Sequence, residues 1–174
     1  DQETAQIGMR AAMTGHLVLS TLHTNDAIST PIRLLDMGVP RYMMGSSLQA
    51  VLAQRLVRVI CESCRAPHVL SPAEQEWISV DLQQDTINQT QFHAGRGCGH
   101  CNGTGYRGRM GVYELLEMTK AVVDAAHSED NAYFIEVAKR QMGGKTLRKN
   151  AIDLVLNGVT TVSEAMRISN QIDE

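Results

Sequence analysis

Two cysteine pairs at identical spacing, Cys61/Cys64 and Cys98/Cys101, are the residues whose chemistry this chain constrains most tightly. A Cys-x-x-Cys turn sets two thiolates on one side of a knuckle, and two knuckles complete the tetrahedron that zinc prefers. No cysteine is left over, and glycines at 95, 97, 99, 103 and 105 supply the tight turns that a knuckle needs. The spacing leaves two disulfides, or four buried thiols without metal, as the competing readings, and a cytosolic chain disfavours disulfides. Four thiolates leave no open position for water, so a bound zinc is expected to be structural rather than catalytic. His93 and His100 lie beside the second pair and are the substitutes if one cysteine is not used.

A second cluster that could do chemistry surrounds His16 and His23. The segment between them opens with a continuous apolar run, the pattern of a strand buried on both faces in a parallel sheet. Ser20, Thr21, Thr24, Asn25 and Asp26 gather at its carboxyl end, where open α/β sheets bind ligands. The residues fit equally well a strand end whose His and Thr side chains cap the next helix. Gly144-Lys145-Thr146 imitates the end of a phosphate loop, but that motif needs glycine where Lys139 stands, and the triplet follows a helix rather than a strand. It reads as a helix stop and restart. Lys139, Arg140, Lys145, Arg148 and Lys149 form a local basic patch, either a solvated face or a contact to a subunit or nucleotide.

The elements that must position these residues follow from periodicity. A helix is expected from Glu3 to Met13, closed by Gly15, and a second from the Thr24-Asn25-Asp26 cap to Met37, ended by Gly38 and Pro40. A third is expected over 41–53. Residues 55–60 read as a strand leading into Cys61, and 110–116 as a partner strand leaving the second pair. Between them Ser71-Pro72-Ala73-Glu74 is a capping box that starts a short helix to about Val80, and 81–92 is polar and weakly patterned. Helices over 120–127, 133–142, 145–156 and 163–170 are expected to form a small bundle, the last of them opened by a second capping box at Thr161–Glu164.

The chain has 174 residues, 43% hydrophobic and 20% charged, enough for one substantial core with a side module. At 4% aromatic, that core is expected to be aliphatic and methionine-rich. A net charge of -3 gives no global attraction to nucleic acid or anionic lipid, and no basic, aromatic-laced face supports nucleic-acid binding. No apolar run of about 18 residues is present. A signal-peptide pattern is also absent, so a cytosolic chain is expected.

Read together, Asp1-Gln2-Glu3-Thr4-Ala5 and Thr14-Gly15-His16-Leu17-Val18-Leu19-Ser20-Thr21-Leu22-His23-Thr24-Asn25-Asp26-Ala27 resemble the type II secretion and type IV pilus assembly ATPases (GspE/PilB/MSHA pilus ATPase-like). The likeness continues through Ala53-Gln54-Arg55-Leu56-Val57-Arg58, Gly105-Tyr106-Arg107-Gly108-Arg109-Met110-Gly111-Val112-Tyr113-Glu114-Leu115-Leu116, Gly144-Lys145-Thr146-Leu147-Arg148 and Val162-Ser163-Glu164-Ala165-Met166-Arg167. It implies an α/β fold: an incomplete RecA-like P-loop ATPase core over 1–60, a four-cysteine zinc insertion over 61–109, and a strand with a C-terminal helical subdomain over 110–174. It also implies a cytoplasmic homo-hexamer that hydrolyses ATP with magnesium. Such a motor would be held at the bacterial inner membrane by platform and assembly proteins of the pilus or secretion system.

Within that resemblance His16 and His23 fall on a histidine box near the terminal phosphate, with Thr21 as a nucleotide-binding position between them. Asp1 matches the residue just after the family's Walker B segment. The catalytic Glu, the phosphate loop and the N-terminal arginines are therefore expected outside these residues, and the chain alone is expected to be inactive. A separate likeness, of Cys98-Gly99-His100-Cys101-Asn102-Gly103-Thr104-Gly105 to one zinc repeat of the DnaJ chaperones, covers a single copy, since Cys61–Pro67 lacks the glycines. The rival to a motor fragment is a stand-alone zinc-binding interaction module without catalysis.

Overall fold

Residues 1–170 are described by a computed structural model, the side chain of Asn170 excepted. Helix α1 (Gln2–Met13) begins where Asp1 accepts the Thr4 amide at 2.7 Å. After it, residues 16–24 form neither helix nor strand. Helix α2 (Ser29–Asp36) starts later than its cap residues suggest, because Asp26 closes a turn of its own on the Ser29 amide at 2.6 Å. It stops at Gly38, whose φ of 84 admits the reversal before Pro40. Helix α3 (Arg41–Ser47) is shorter than the expected 41–53. The residues from Ala50 onward are drawn instead into strand β1 (Ala50–Ile60), where ladder pairing outweighs local helix preference.

Strand β1 pairs with β4 (Tyr106–Glu117), as the sequence predicts. The Cys61 amide donates to Gly105 O at one end of this ribbon, and the Met118 amide to Gln49 O at the other, so the strands run antiparallel. Between them come the short strands β2 (Arg65–Pro67) and β3 (His93–Gly95), antiparallel with Ala66 opposite Ala94. The helices α4 (Pro72–Ser79) and α5 (Gln84–Gln89) lie between those two strands in sequence. The capping box of α4 is formed as expected: Glu74 accepts the Ser71 amide at 2.9 Å, and Ser71 Oγ accepts the Glu74 amide. Helices α6 (Lys120–His127), α7 (Asn131–Met142), α8 (Leu147–Leu156) and α9 (Val162–Asn170) complete the chain.

Two compact units emerge, and the chain passes between them within β1, within β4 and again between α7 and α8. The first comprises 1–53 and 114–146, where α1 and α6 pack on α3 and α6 packs on α7. Its core is Leu34, Val39, Met43, Met44, Val122, Ala125, Phe134 and Ala138. The second comprises 54–113 and 147–174, where α9 packs on α4 and α8 around Val57, Ile78, Val112, Ile152 and Val162. Aliphatic side chains dominate both cores, the buried methionines Met43, Met44 and Met142 all belong to the first unit, and among the described residues Phe92 and Phe134 are the buried phenylalanines. The four helices expected to form one terminal bundle are thus divided, α6 and α7 to the first unit, α8 and α9 to the second.

The expected parallel strand over 16–23 is the main departure. A strand buried on both faces needs neighbours on both edges, and among the described residues none pairs with it. Leu17 and Leu19 are accordingly 89% and 87% exposed. The turn at Gly143 and Gly144, both with positive φ, separates α7 from α8, so Gly144-Lys145-Thr146 is a helix stop and restart as expected.

Candidate metal centre

Strand β1 delivers Cys61 to the start of one knuckle, and the Cys64 amide turns back on Cys61 O at 3.2 Å. The second knuckle closes in the same way, with the amides of Cys101 and Gly103 donating to Cys98 O at 3.3 and 2.9 Å. Asn102 takes the left-handed conformation at φ 52, which an amide side chain tolerates better than most. Gly95 and Gly105 are required by close approach rather than by turning alone. A Cβ on Gly95 would collide with the Gly105 carbonyl, and one on Gly105 with Gly95 O. The two segments therefore meet backbone to backbone beside the cysteines.

The four sulfurs lie within 4.8 Å of one another. Cys61 and Cys98 Sγ are 3.9 Å apart, Cys64 and Cys101 Sγ 3.8 Å, and Cys98 and Cys101 Sγ 3.7 Å. Disulfide sulfurs would be about 2.05 Å apart, so all four cysteines are free. Four sulfurs each about 2.3 Å from a tetrahedral zinc sit about 3.8 Å from one another, which matches the three sulfur pairs just given. The donor set thus suits a zinc-sized ion. No position in such a tetrahedron is left for water or substrate.

The protein also supplies the hydrogen bonds that a thiolate cluster needs. Burial pushes the Cys101 thiol up, but the amides of Cys98 and Gly105, each 3.2 Å from its sulfur, outweigh burial and bring it down to about 6. Cys64 is pushed up to about 11 by burial and by the neighbouring thiols. Cys101 is thus primed to lose its proton before Cys64. His93 and His100 stand outside the cluster: His93 Nδ1 lies 3.3 Å from Arg65 Nη2, and His100 Nδ1 3.5 Å from Arg107 Nη1. The group of four that could hold a metal is made of cysteines alone.

Around the knuckles, several residues that sequence reasoning passed over tie the cluster into its unit. Arg58 stacks on the Tyr106 ring at 4.1 Å and pairs with Glu164 at 2.6 Å. Glu164 is fully buried and also accepts from Arg167. Burial would raise this carboxyl, but the two arginines outweigh it and hold it below the usual carboxylate range. Arg148 covers the Trp77 ring at 4.0 Å and pairs with Asp81 at 2.7 Å. The sequence placed Arg148 in a basic patch and Glu164 in a capping box, but neither reading anticipated these partners. The expected basic patch dissolves into separate pairs, Arg140 with Glu136, Lys149 with Asp153 and Arg148 with Asp81.

The histidine cluster lies in the other unit. His16, Thr21 and His23 are all exposed, and the His16 ring turns back on the end of α1, 3.0 Å from Thr14 Oγ1 and 3.2 Å from Ala11 O.

A model of the type II/IV secretion system protein family matches residues 1–167. The chain belongs to this family. Type II secretion system protein E of Aeromonas hydrophila is 44% identical over 171 residues, covering 98% of this chain and 33% of that protein. The type II secretion system protein E of Pseudomonas aeruginosa is 42% identical, with the same coverage. The type IV pilus assembly ATPase TfpB of Acinetobacter baylyi is 40% identical over 169 residues, 97% of this chain and 28% of that protein. This member of the secretion family therefore spans about a third of the length of these curated relatives. Among its described residues no helix is long and apolar enough to cross a membrane.

Proposed function

We propose that this chain is part of a cytoplasmic ATPase that powers type II secretion or type IV pilus assembly, in which the four cysteines hold a structural zinc. The family match over 1–167 carries this reading, with relatives named for secretion and others named as pilus assembly ATPases. The parent is a homo-hexamer docked on inner-membrane platform proteins and contains no nucleic-acid site. Residues 1–60 contribute to a RecA-like core, and 61–109 carry the zinc site.

His16 and His23, with Thr21 between them, face the nucleotide in the assembled parent. Support for this comes from segment 16–24, whose exposed Leu17 and Leu19 suit a strand that neighbours complete. Phosphoryl transfer depends on positioning and on stabilising charge at the equatorial oxygens. An imidazole N–H contributes to that stabilisation, whereas the phosphate loop and magnesium-binding acid come from other parts of the parent. Cys61, Cys64, Cys98 and Cys101 take no part in turnover. When bound, zinc supplies a cross-link between the two segments that carry them.

The test is His23→Ala in the full-length parent. Hydrolysis should fall about 100-fold or more, the scale for losing one transition-state donor, while nucleotide affinity changes little. Equal loss of turnover and binding would refute the assigned role. Residues 1–174 alone should show no turnover, and measurable hydrolysis by the purified chain would overturn that expectation.

A further inference from the structure

A continuous set of contacts joins the second knuckle to the last helix. Gly105, whose amide donates to Cys101 Sγ at 3.2 Å, is followed directly by Tyr106, whose hydroxyl lies 2.8 Å from Thr161 Oγ1. Thr161 Oγ1 accepts the Glu164 amide at 3.1 Å and so caps the first turn of α9. The face of Tyr106 carries the Arg58 guanidinium, which pairs with the buried carboxylate of Glu164 in that same turn. The main chain runs parallel to these links: the Cys61 amide donates to Gly105 O at 3.0 Å, the Ile60 amide to Val159 O at 2.9 Å, and Thr160 Oγ1 to Arg58 O at 2.7 Å. All of these residues belong to one compact unit.

We propose that Tyr106 and Thr161 form a latch through which occupancy of the four-cysteine site fixes the N-terminus of α9, and through which α9 in turn tightens the metal site. The inference rests on reading the cysteines as a metal centre. Gly105 holds φ 77 against the Gly95 backbone, a conformation that depends on the closed knuckle. When the knuckle opens, the Gly105 amide loses the Cys101 sulfur, and the position of Tyr106 is no longer defined. The hydroxyl pair and the ring under Arg58 are then lost together, and with them the support of a cap and a buried carboxylate. Coupling between binding and conformation is reciprocal: if the metal favours the latched state by some factor, latching favours metal binding by that same factor, so removing the latch must weaken metal binding. Ordinary packing of α9 on α8 carries no such requirement.

The experiment measures zinc affinity of the full chain by competition with a chromophoric chelator, and amide exchange over 162–170 with and without metal. Tyr106→Phe and Thr161→Val should each weaken zinc binding about 3- to 10-fold, the worth of one net hydrogen bond. Thr161→Ser should restore it. Asp153→Ala, which removes only an exposed pair with Lys149 on α8, should leave it unchanged. Exchange over 162–170 should rise on chelation in the unsubstituted chain, and rise less in Tyr106→Phe, where it starts higher. If Thr161→Val does not fold, Tyr106→Phe, which removes a single oxygen, carries the test alone. Zinc affinities within twofold of the unsubstituted chain would overturn the latch while leaving the metal centre standing. Failure of the unsubstituted chain to bind zinc would overturn both.

Discussion

Replacing Glu164 with glutamine should destabilise the unit that carries the four cysteines by about 2 kcal/mol at neutral pH. The carboxylate is fully buried and serves two guanidinium groups: Oε2 accepts from Arg58 Nε at 2.8 Å and Nη2 at 2.6 Å, and Oε1 accepts from Arg167 and from the Arg58 amide. Glutamine keeps one oxygen and turns an NH2 group toward the other arginine, so one side of the triad changes from attraction to opposed donors. Hydrogen bonds to charged groups contribute about 1.5–3 kcal/mol, and breaking a buried pair can cost about 3–5 kcal/mol. The lower range applies because the Arg58 and Arg167 side chains are 47% and 48% exposed and can turn to water.

The assay is urea unfolding followed by the fluorescence of Trp77, the chain's one tryptophan, which lies in the same unit. The effect also has a pH signature. Because the folded Glu164 carboxyl is held below its ordinary range, its contribution is complete above the unfolded value of about 4.3 and disappears as pH falls through the folded value. The gap between the two proteins should therefore narrow in acid. Equal midpoints at neutral pH, or a gap that persists unchanged in acid, would refute the reasoning.

Chelation of the metal should raise amide exchange across 61–106 while α6 and α7, which belong to the other unit, keep their protection; loss of both together would show that the units do not unfold separately. Gly105→Ala combines a positive φ with a backbone collision and should weaken zinc binding at least tenfold in the same chelator competition, whereas near-normal affinity would mean that the two segments can separate without cost. Arg148→Ala removes the cation over Trp77 and the ion pair to Asp81, so the urea midpoint should fall by the equivalent of about 1–2 kcal/mol, with Trp77 emission shifted to the red; an unchanged spectrum would contradict the stacked arrangement.

What the sequence determined by itself was local. Cysteine spacing announced the four-cysteine cluster because two Cys-x-x-Cys turns can converge with little freedom, and the closing Cys64 and Cys101 amides show how short-range that geometry is. The α4 capping box and the glycine stop after α7 were equally legible, since each is settled within a few residues. Helix α5 was not, because a Gln-rich stretch with a single buried anchor, Ile87, carries almost no periodic signal.

Tertiary structure decided everything that depends on distant partners. It converted the end of the expected 41–53 helix into β1, because β4 supplied a ladder that local preference could not anticipate. It also left half of the second capping box unmade: Thr161 caps the Glu164 amide as expected, but the Glu164 carboxylate turns to Arg58, which lies far away in sequence. Only folding could sort the four terminal helices between two units. The apolar run at 17–19 shows the same limit from the other side. Its composition specifies a buried strand, yet burial is a property of neighbours, and Leu17 and Leu19 remain exposed because no described strand lies beside them.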